Sequence, residues 1–421
     1  MDLETPDALN SCPKRSLTTP GSQPKEVLVF NPPSEPANWL QMDWSQITTL
    51  AISGPWPPPA DLYCHAHAHG VKVVKIVNFH AGGPSAMSNA TKRSAWISQI
   101  VTDAVVHGTD GANVDIEGLR GEKSDLNALI KELATEFRKA VPMAQISFDL
   151  PAGDAEPTSY DVAFLTTVLD FVLLMNYGKA DAVWNTKQPA ALANCPYDGL
   201  AISVKAYGKY GVKADQIVVG LPWYGYTFPC HNQTAGSACA PVCTNGRDTC
   251  GQSQYAECMR CRDTGVCRSE NGVINATKVG PWNYDTTSVA VWFEFFDATG
   301  GRYQQWYDDE VSLSIKYRAC RALGTKGVAM WYAGSLEYGS EPAGMNRTAT
   351  MWAALREFTH TTAHEVKRLK TDDALELTQS DDSVVSCDDA LSLGLVCDGK
   401  TDDTAQLRKN VLPCFVHATV C

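Results

Sequence analysis

Between residues 26 and 334 short apolar runs alternate with longer segments whose apolar positions recur every three or four residues. Runs rich in β-branched residues at Glu26-Phe30, Thr48-Ser53 and Lys72-Val77 are bounded by polar and turn-forming residues, as strands are. The run 111–117 alternates apolar and polar positions. After it, Ser124-Ala140 sets Leu126, Leu129, Leu133 and Phe137 three and four residues apart, which predicts an amphipathic helix with Ser124 as N-cap. Ala144-Leu150, Phe171-Tyr177, Ile217-Tyr224 and Gly327-Gly334 bring the strands to eight. Each is followed by a helix or its remnant, so the pattern predicts parallel βα units. Eight units over about 330 residues predict an α/β fold of the (β/α)8 barrel type. A doubly wound sheet is the alternative, but it usually has fewer strands, and no Gly-rich phosphate turn follows the first run. Barrel sites lie at the C-terminal strand ends, and Glu117, Tyr177, Trp223 and Trp331 fall at or near such ends.

About 100 residues separate strands seven and eight, far more than an ordinary connection. They hold a cysteine cluster from 230 to 267 and two β-like runs, Val289-Phe296 and Arg302-Tyr307, joined by a Gly-containing turn. The expected insertion, about 228–308, is thus a stapled excursion plus a hairpin. Asp308-Gly324 supplies a helix back to the barrel. Residues 1–24, rich in Pro, Ser and Thr, read as a flexible lead-in. The expected catalytic barrel is 25–357, and 358–421 an extension of unknown role, with Cys387, Cys397, Cys414 and Cys421 available for disulfides.

A net charge of −12 argues against nucleic acid, whose phosphates need clustered Lys and Arg. No run approaches the roughly 18 apolar residues of a membrane span. Of the 15 cysteines, seven fall between Cys230 and Cys267, which reads as disulfide stapling. The zinc alternative, Cys258-x-x-Cys261 with Cys239, Cys243 and Cys250 or Cys267, lacks a histidine pair and regular spacing; no metal and no cofactor are expected. Sequons at Asn89, Asn232, Asn275 and Asn346 point to a secretory route. Met1 to Leu9 carries no basic or apolar signal region, so the expectation is an incomplete or misassigned start. His65, His67 and His69, spaced by two, read as solvated loop residues.

The run Asp110-Gly111-Ala112-Asn113-Val114-Asp115-Ile116-Glu117 carries the chemistry. As a strand it turns Asn113, Asp115 and Glu117 to one face and Ala112, Val114 and Ile116 to the other. Buried acids without partners cost several kcal/mol. Asp115 and Glu117 would lie about 7 Å apart, near enough for one charge to raise the pKa of the other and keep a carboxyl protonated as a general acid. An exposed edge strand is the rival reading.

D-G-A-N-V-D-I-E resembles the catalytic signature of glycoside hydrolase family 18. D-W-S-Q-I-T-T at 43–49, L-P-W-Y-G-Y at 221–226, Q-W-Y-D-D at 305–309 and G-V-A-M-W at 327–331 resemble its branch of lysosomal di-N-acetylchitobiases. The resemblance spans roughly residues 25 to 340. It implies that the substrate's 2-acetamido oxygen is the nucleophile, that Glu117 is the acid/base, and that Asp115 orients the acetamide. It implies that Asp110 shares a proton with Asp115, and that Tyr177 donates to the acetamido carbonyl. Gly178 departs from the family, which places an acid there; Asp181 is a candidate substitute. Gly327 and Ala329 below Trp331 suggest a cavity with an aromatic floor. Asn113, Met175, Trp223 and Tyr224 are further substrate-binding candidates, and the family's insertion forms a wall of the sugar groove.

The resulting expectation is a monomeric, lysosomal or secreted retaining glycosidase acting on β-1,4-linked N-acetylglucosamine. Its alternatives are an endo-acting chitinase, an N-glycan endoglycosidase, or a non-catalytic chitooligosaccharide lectin on the same barrel, for which Gly178 argues.

Overall fold

The computed structural model describes residue 12 and residues 25–360, apart from 55, 80–82, 120, 154–159, 179–190, 241–250, 270–271 and 340. Residues 1–284 with 288–360 form one compact unit; the other consists of 285–287 with 361–421. Asp181 and the four cysteines from Cys387 to Cys421 lie outside the described residues.

The core of the first unit is a closed parallel barrel. Its strands are β1 (Glu26–Phe30), β2 (Thr49–Ile52), β3 (Lys72–Val77), β4 (Gly111–Val114), β5 (Gln145–Pro151), β6 (Phe171–Met175), β7 (Ile217–Pro222) and a last strand, Gly327–Trp331, which closes against β1 and β7. Helices run between strands, as the alternating pattern predicts. Helix Lys123–Ala140 buries Leu126, Leu129, Leu133 and Phe137. It begins one residue before Ser124, and its N-cap is Glu122 with no side-chain cap bond. Ser124 is therefore inside the helix.

Strand parity sorts the barrel into an outer and an inner layer. Val27, Val29, Leu50, Val73, Ala112, Val114, Ile146, Phe148, Val172, Val219 and Val328 pack outward under the helices. Inward, Leu28, Ala51, Val74, Phe171, Leu173, Val218 and Ala329 fill the middle. At the N-terminal end a polar plug closes the interior: Thr48 and Thr49 hydroxyls donate to Glu26 Oε1, each at 2.6 Å, and Lys72 Nζ donates to Gln145 Oε1. The opposite end is left for chemistry.

Beyond β7 the chain breaks pairing at Trp223 and enters β8 (Tyr224–Pro229). With β9 (Gly251–Gln254), β12 (Lys278–Asp285), β13 (Ala290–Phe296) and β14 (Arg302–Tyr307) this builds a second sheet, ordered β12-β13-β14-β8-β9. Strands β10 (Val266–Ser269) and β11 (Gly272–Asn275) pair as a hairpin. The closing barrel strand, Gly327–Trp331, is β15 in chain order. Disulfides join Cys230 to Cys239 and Cys261 to Cys267. Three members of the zinc alternative, Cys239, Cys261 and Cys267, are thus oxidised, while Cys243 and Cys250 lie outside the described residues. A third bridge, Cys12–Cys64, ties a residue of the lead-in to helix Ala60–Ala68, where the sequence suggested a free segment. No helix among the described residues is long and apolar enough to cross a membrane.

Candidate active site

Strand β4 delivers the acids to the C-terminal end of the barrel. Its ladder runs one residue past Val114, where the Asp115 N–H donates to the Val77 carbonyl at 2.9 Å. The Ile116 carbonyl then accepts from the Tyr160 hydroxyl at 3.2 Å. Glu117 follows, exposed, and the chain turns away at Gly118, whose φ of 72° is left-handed. The strand is therefore shorter than the predicted 111–117, and Glu117 lies beyond its last residue, Val114, and is exposed.

Asp115 is half-buried, and burial raises its pKa above the usual carboxylate value. Its Oδ1 is buried with no hydrogen-bond partner among the described residues. On the neighbouring strand Asp149, 3% exposed, is raised much further, first by burial and then by the charge of Asp115. Asp149 lies outside every motif that the sequence singles out. Its signal was present: Gln145, Ser147 and Asp149 give β5 a polar face of the same parity as Asn113 and Asp115 in β4.

Tyr177 follows β6. Burial, then Asp149, Tyr224, Asp115 and Glu117, push its phenol well above its ordinary pKa, so it remains a donor at neutral pH. Trp331, at the end of β15, stacks on Tyr177 with centroids 6.3 Å apart at 25° and rests on Phe30 at 5.1 Å. Half-buried Met175 packs in the same layer. Glu117, Asp115, Tyr177, Met175 and Trp331 are therefore brought to one end of the barrel. The room under Trp331 is filled by Phe30, which corrects the expected cavity. Gly327 is small because a Cβ there would lie 2.4 Å from the Glu26 carbonyl.

Five expectations are corrected. Asp110 lies at the opposite end of β4, beside Val73, whose N–H it accepts, and it pairs with His67 Nε2 at 2.7 Å. It cannot share a proton with Asp115, which sits beside Val77 five residues along the strand. His67 is in turn 7% exposed rather than solvated, while His65 and His69 stack at 4.3 Å. Asn113 is fully buried, donating to Asp149 Oδ2 and accepting from the Ser147 hydroxyl, both at 2.6 Å, so no surface is left for substrate. Trp223 is also fully buried, its indole N–H donating to Tyr317 and its ring against Trp352; it faces the helical layer. Tyr224, 4% exposed, backs Tyr177 edge-on at 6.3 Å instead of meeting a sugar itself. At Gly178, left-handed at φ 73°, the N–H donates to buried Asn194, whose amide also holds the Tyr224 carbonyl.

Residues 68–335 match the family described as Glycosyl hydrolases family 18. Among curated proteins the chain is 30% identical to the di-N-acetylchitobiase of Rattus norvegicus over 361 residues, 82% of this chain and 92% of that one. It is 28% identical to that of Homo sapiens, over 82% and 88% of the two chains. Among solved structures an immunomodulatory active chitinase from Trichuris suis superposes with a TM-score of 0.64 at 16% identity, over 79% of this chain and 99% of the other, a likeness of fold.

Proposed function

The chain belongs to glycosyl hydrolase family 18 and is a glycoside hydrolase, and from that premise we propose that it hydrolyses β-1,4-linked N-acetylglucosamine in chitobiose and short chitooligosaccharides with retention. Support comes from one arrangement above all. The exposed carboxyl of Glu117 stands two residues from Asp115, whose buried Oδ1 lacks a partner among the described residues. In this reading the acetamide N–H of the bound sugar becomes the partner of the Asp115 carboxylate once that side chain turns toward the sugar. By holding that N–H, Asp115 turns the carbonyl oxygen of the sugar's acetamide toward the anomeric carbon, and its carboxylate balances the positive charge of the cyclised intermediate. Glu117 first protonates the glycosidic oxygen and then takes the proton of the incoming water. Tyr177, its hydroxyl kept protonated, donates to the acetamido oxygen as charge develops, and the Trp331 indole carries the apolar face of the ring.

The curated relatives named above support the di-N-acetylchitobiase assignment over an endo-acting one. The three disulfides among the described residues and the exposed sequon asparagines Asn89, Asn232, Asn275 and Asn346 favour a lysosomal or secreted setting. The test is turnover of N,N′-diacetylchitobiose and chitotetraose by the wild type and by Glu117→Gln. Loss of at least about a hundredfold in kcat is expected. Equal rates in both proteins, or tight binding with no product from the wild type, would discard the assignment.

A further inference from the structure

The paired positions of β4 and β5 run from Gly111↔Gln145 to Val114↔Phe148, so the next pair upward is Asp115 and Asp149. Both have the parity that faces the barrel interior, on strands about 4.8 Å apart. Each carboxyl keeps one buried oxygen, Oδ1, with no hydrogen-bond partner among the described residues. The other oxygen of Asp149 accepts from Asn113 Nδ2 at 2.6 Å, and Asn113 is itself locked by the Ser147 hydroxyl. The titratable groups facing Asp149 are Asp115 and Glu117 from the end of β4 and Tyr177 from the end of β6. Two acids ionised side by side in a dry interior repel strongly, and a shared proton relieves that.

We propose that Asp149 is a positioning residue which carries, as a carboxylic acid, the single proton of the Asp115–Asp149 pair and with it holds Asp115 inward in the empty site. The deeper acid keeps the proton because it has less access to water; the half-buried Asp115 keeps the charge. With Asp115 inward, the Asp149 O–H donates to Asp115 Oδ1. When a substrate amide N–H draws Asp115 toward the barrel mouth, that hydrogen bond opens, the proton stays on Asp149, and Asp115 leaves as a carboxylate. No proton enters or leaves the pair. Asn113 fixes Asp149 from below, so the motif's neutral position serves this acid rather than the sugar. The positioning role rests on the function proposed for Asp115; the shared proton does not.

Infrared difference spectra at neutral pH, wild type against Asp149→Asn, separate the two. The wild type is expected to show the C=O stretch of one buried protonated carboxyl, and D149N to lack it; absence of the band, or its survival in D149N, overturns the proposal even in a protein that hydrolyses nothing. Should D149N not fold, Asp115→Asn gives the second reading: the band persists but moves because its acceptor has changed, and an unmoved band overturns the pairing. In the pH profile of kcat/KM for diacetylchitobiose, the acid limb of D149N should coincide with that of the wild type, since Asp149 is already neutral there. A limb displaced to lower pH would mean that a charge had been removed, and the proposal fails. Asp149→Ala, which has neither donor nor acceptor, should lose at least tenfold more kcat than D149N; equal losses would mark a merely structural role.

Discussion

Burying an acid leaves a mark on stability that can be read without substrate. Asp149 titrates in the folded chain well above its ordinary value. Below the ordinary carboxylate range both folded and unfolded chains hold the proton and the group costs nothing. As pH rises from there toward the raised value, the unfolded chain releases its proton first, so the folded state loses stability. Asp149→Asn removes this loss. Its melting temperature relative to the wild type should climb as pH rises out of the carboxylate range, measured by calorimetry across a pH series; a difference that stays flat would mean the acid is ionised in the fold. Asp110 shows the opposite case. Of the same type and in the same motif, it is matched by His67 and a backbone N–H, so its part is to anchor the bottom of the strand.

Among the elements, β4 is held by what it lacks. A Cβ on Gly111 would meet the Gln145 carbonyl at 1.8 Å, so the motif's glycine exists for the approach of β4 to β5. Gly111→Ala should therefore cost about 1–3 kcal/mol or more in urea unfolding, with activity falling alongside because the acids ride on that strand; a neutral effect would contradict the close approach. Where β14 hands over to helix Glu310–Ala322, Lys316 donates to Asp308, both essentially without solvent exposure, and the Ser312 hydroxyl adds a bond at 2.7 Å. Burial raises the Asp308 pKa in spite of that cation. Lys316→Met strands the acid and should cost about 3–5 kcal/mol, while the double variant with Asp308→Asn should recover at least half. A double variant no better than the single would show that the two do not act as a pair.

At the scale of the molecule, the barrel is an apolar sleeve around a graded interior: a polar plug at the N-terminal end, aliphatic and aromatic filling midway, and acids with aromatics at the mouth. The second sheet, inserted between β7 and β15, extends that aromatic layer, with Tyr224, Tyr226, Phe228 and Trp306 clustering against Tyr177 and Trp331. Covalent links then restrict the unfolded chain. The Cys12–Cys64 bridge closes a loop of sequence separation 52, and replacing both by Ser should cost about 2–4 kcal/mol. The measurement is the denaturant midpoint, with kcat expected to hold because the bridge joins helix Ala60–Ala68 rather than a strand end that bears an acid.

What the linear chain determined by itself was everything with a local period. The two-residue alternation in eight runs and the three-to-four spacing between them define strands and helices, hence the barrel, and place Asp115, Glu117, Tyr177 and Trp331 at or near strand ends. Tertiary structure decided which of the motif's residues share an end of the barrel, what their faces meet and which neighbours they gain. Asp110 and Asp115 look equivalent in the motif, but a parallel barrel sends opposite ends of one strand to opposite ends of the molecule. Trp223 looks like a site residue, yet the break between β7 and β8 turns it toward the helices. Asp149 lies 34 residues from Asp115 and becomes its neighbour only because β4 and β5 pair. Contacts of that kind depend on strand order and register, which the closing of the whole barrel sets.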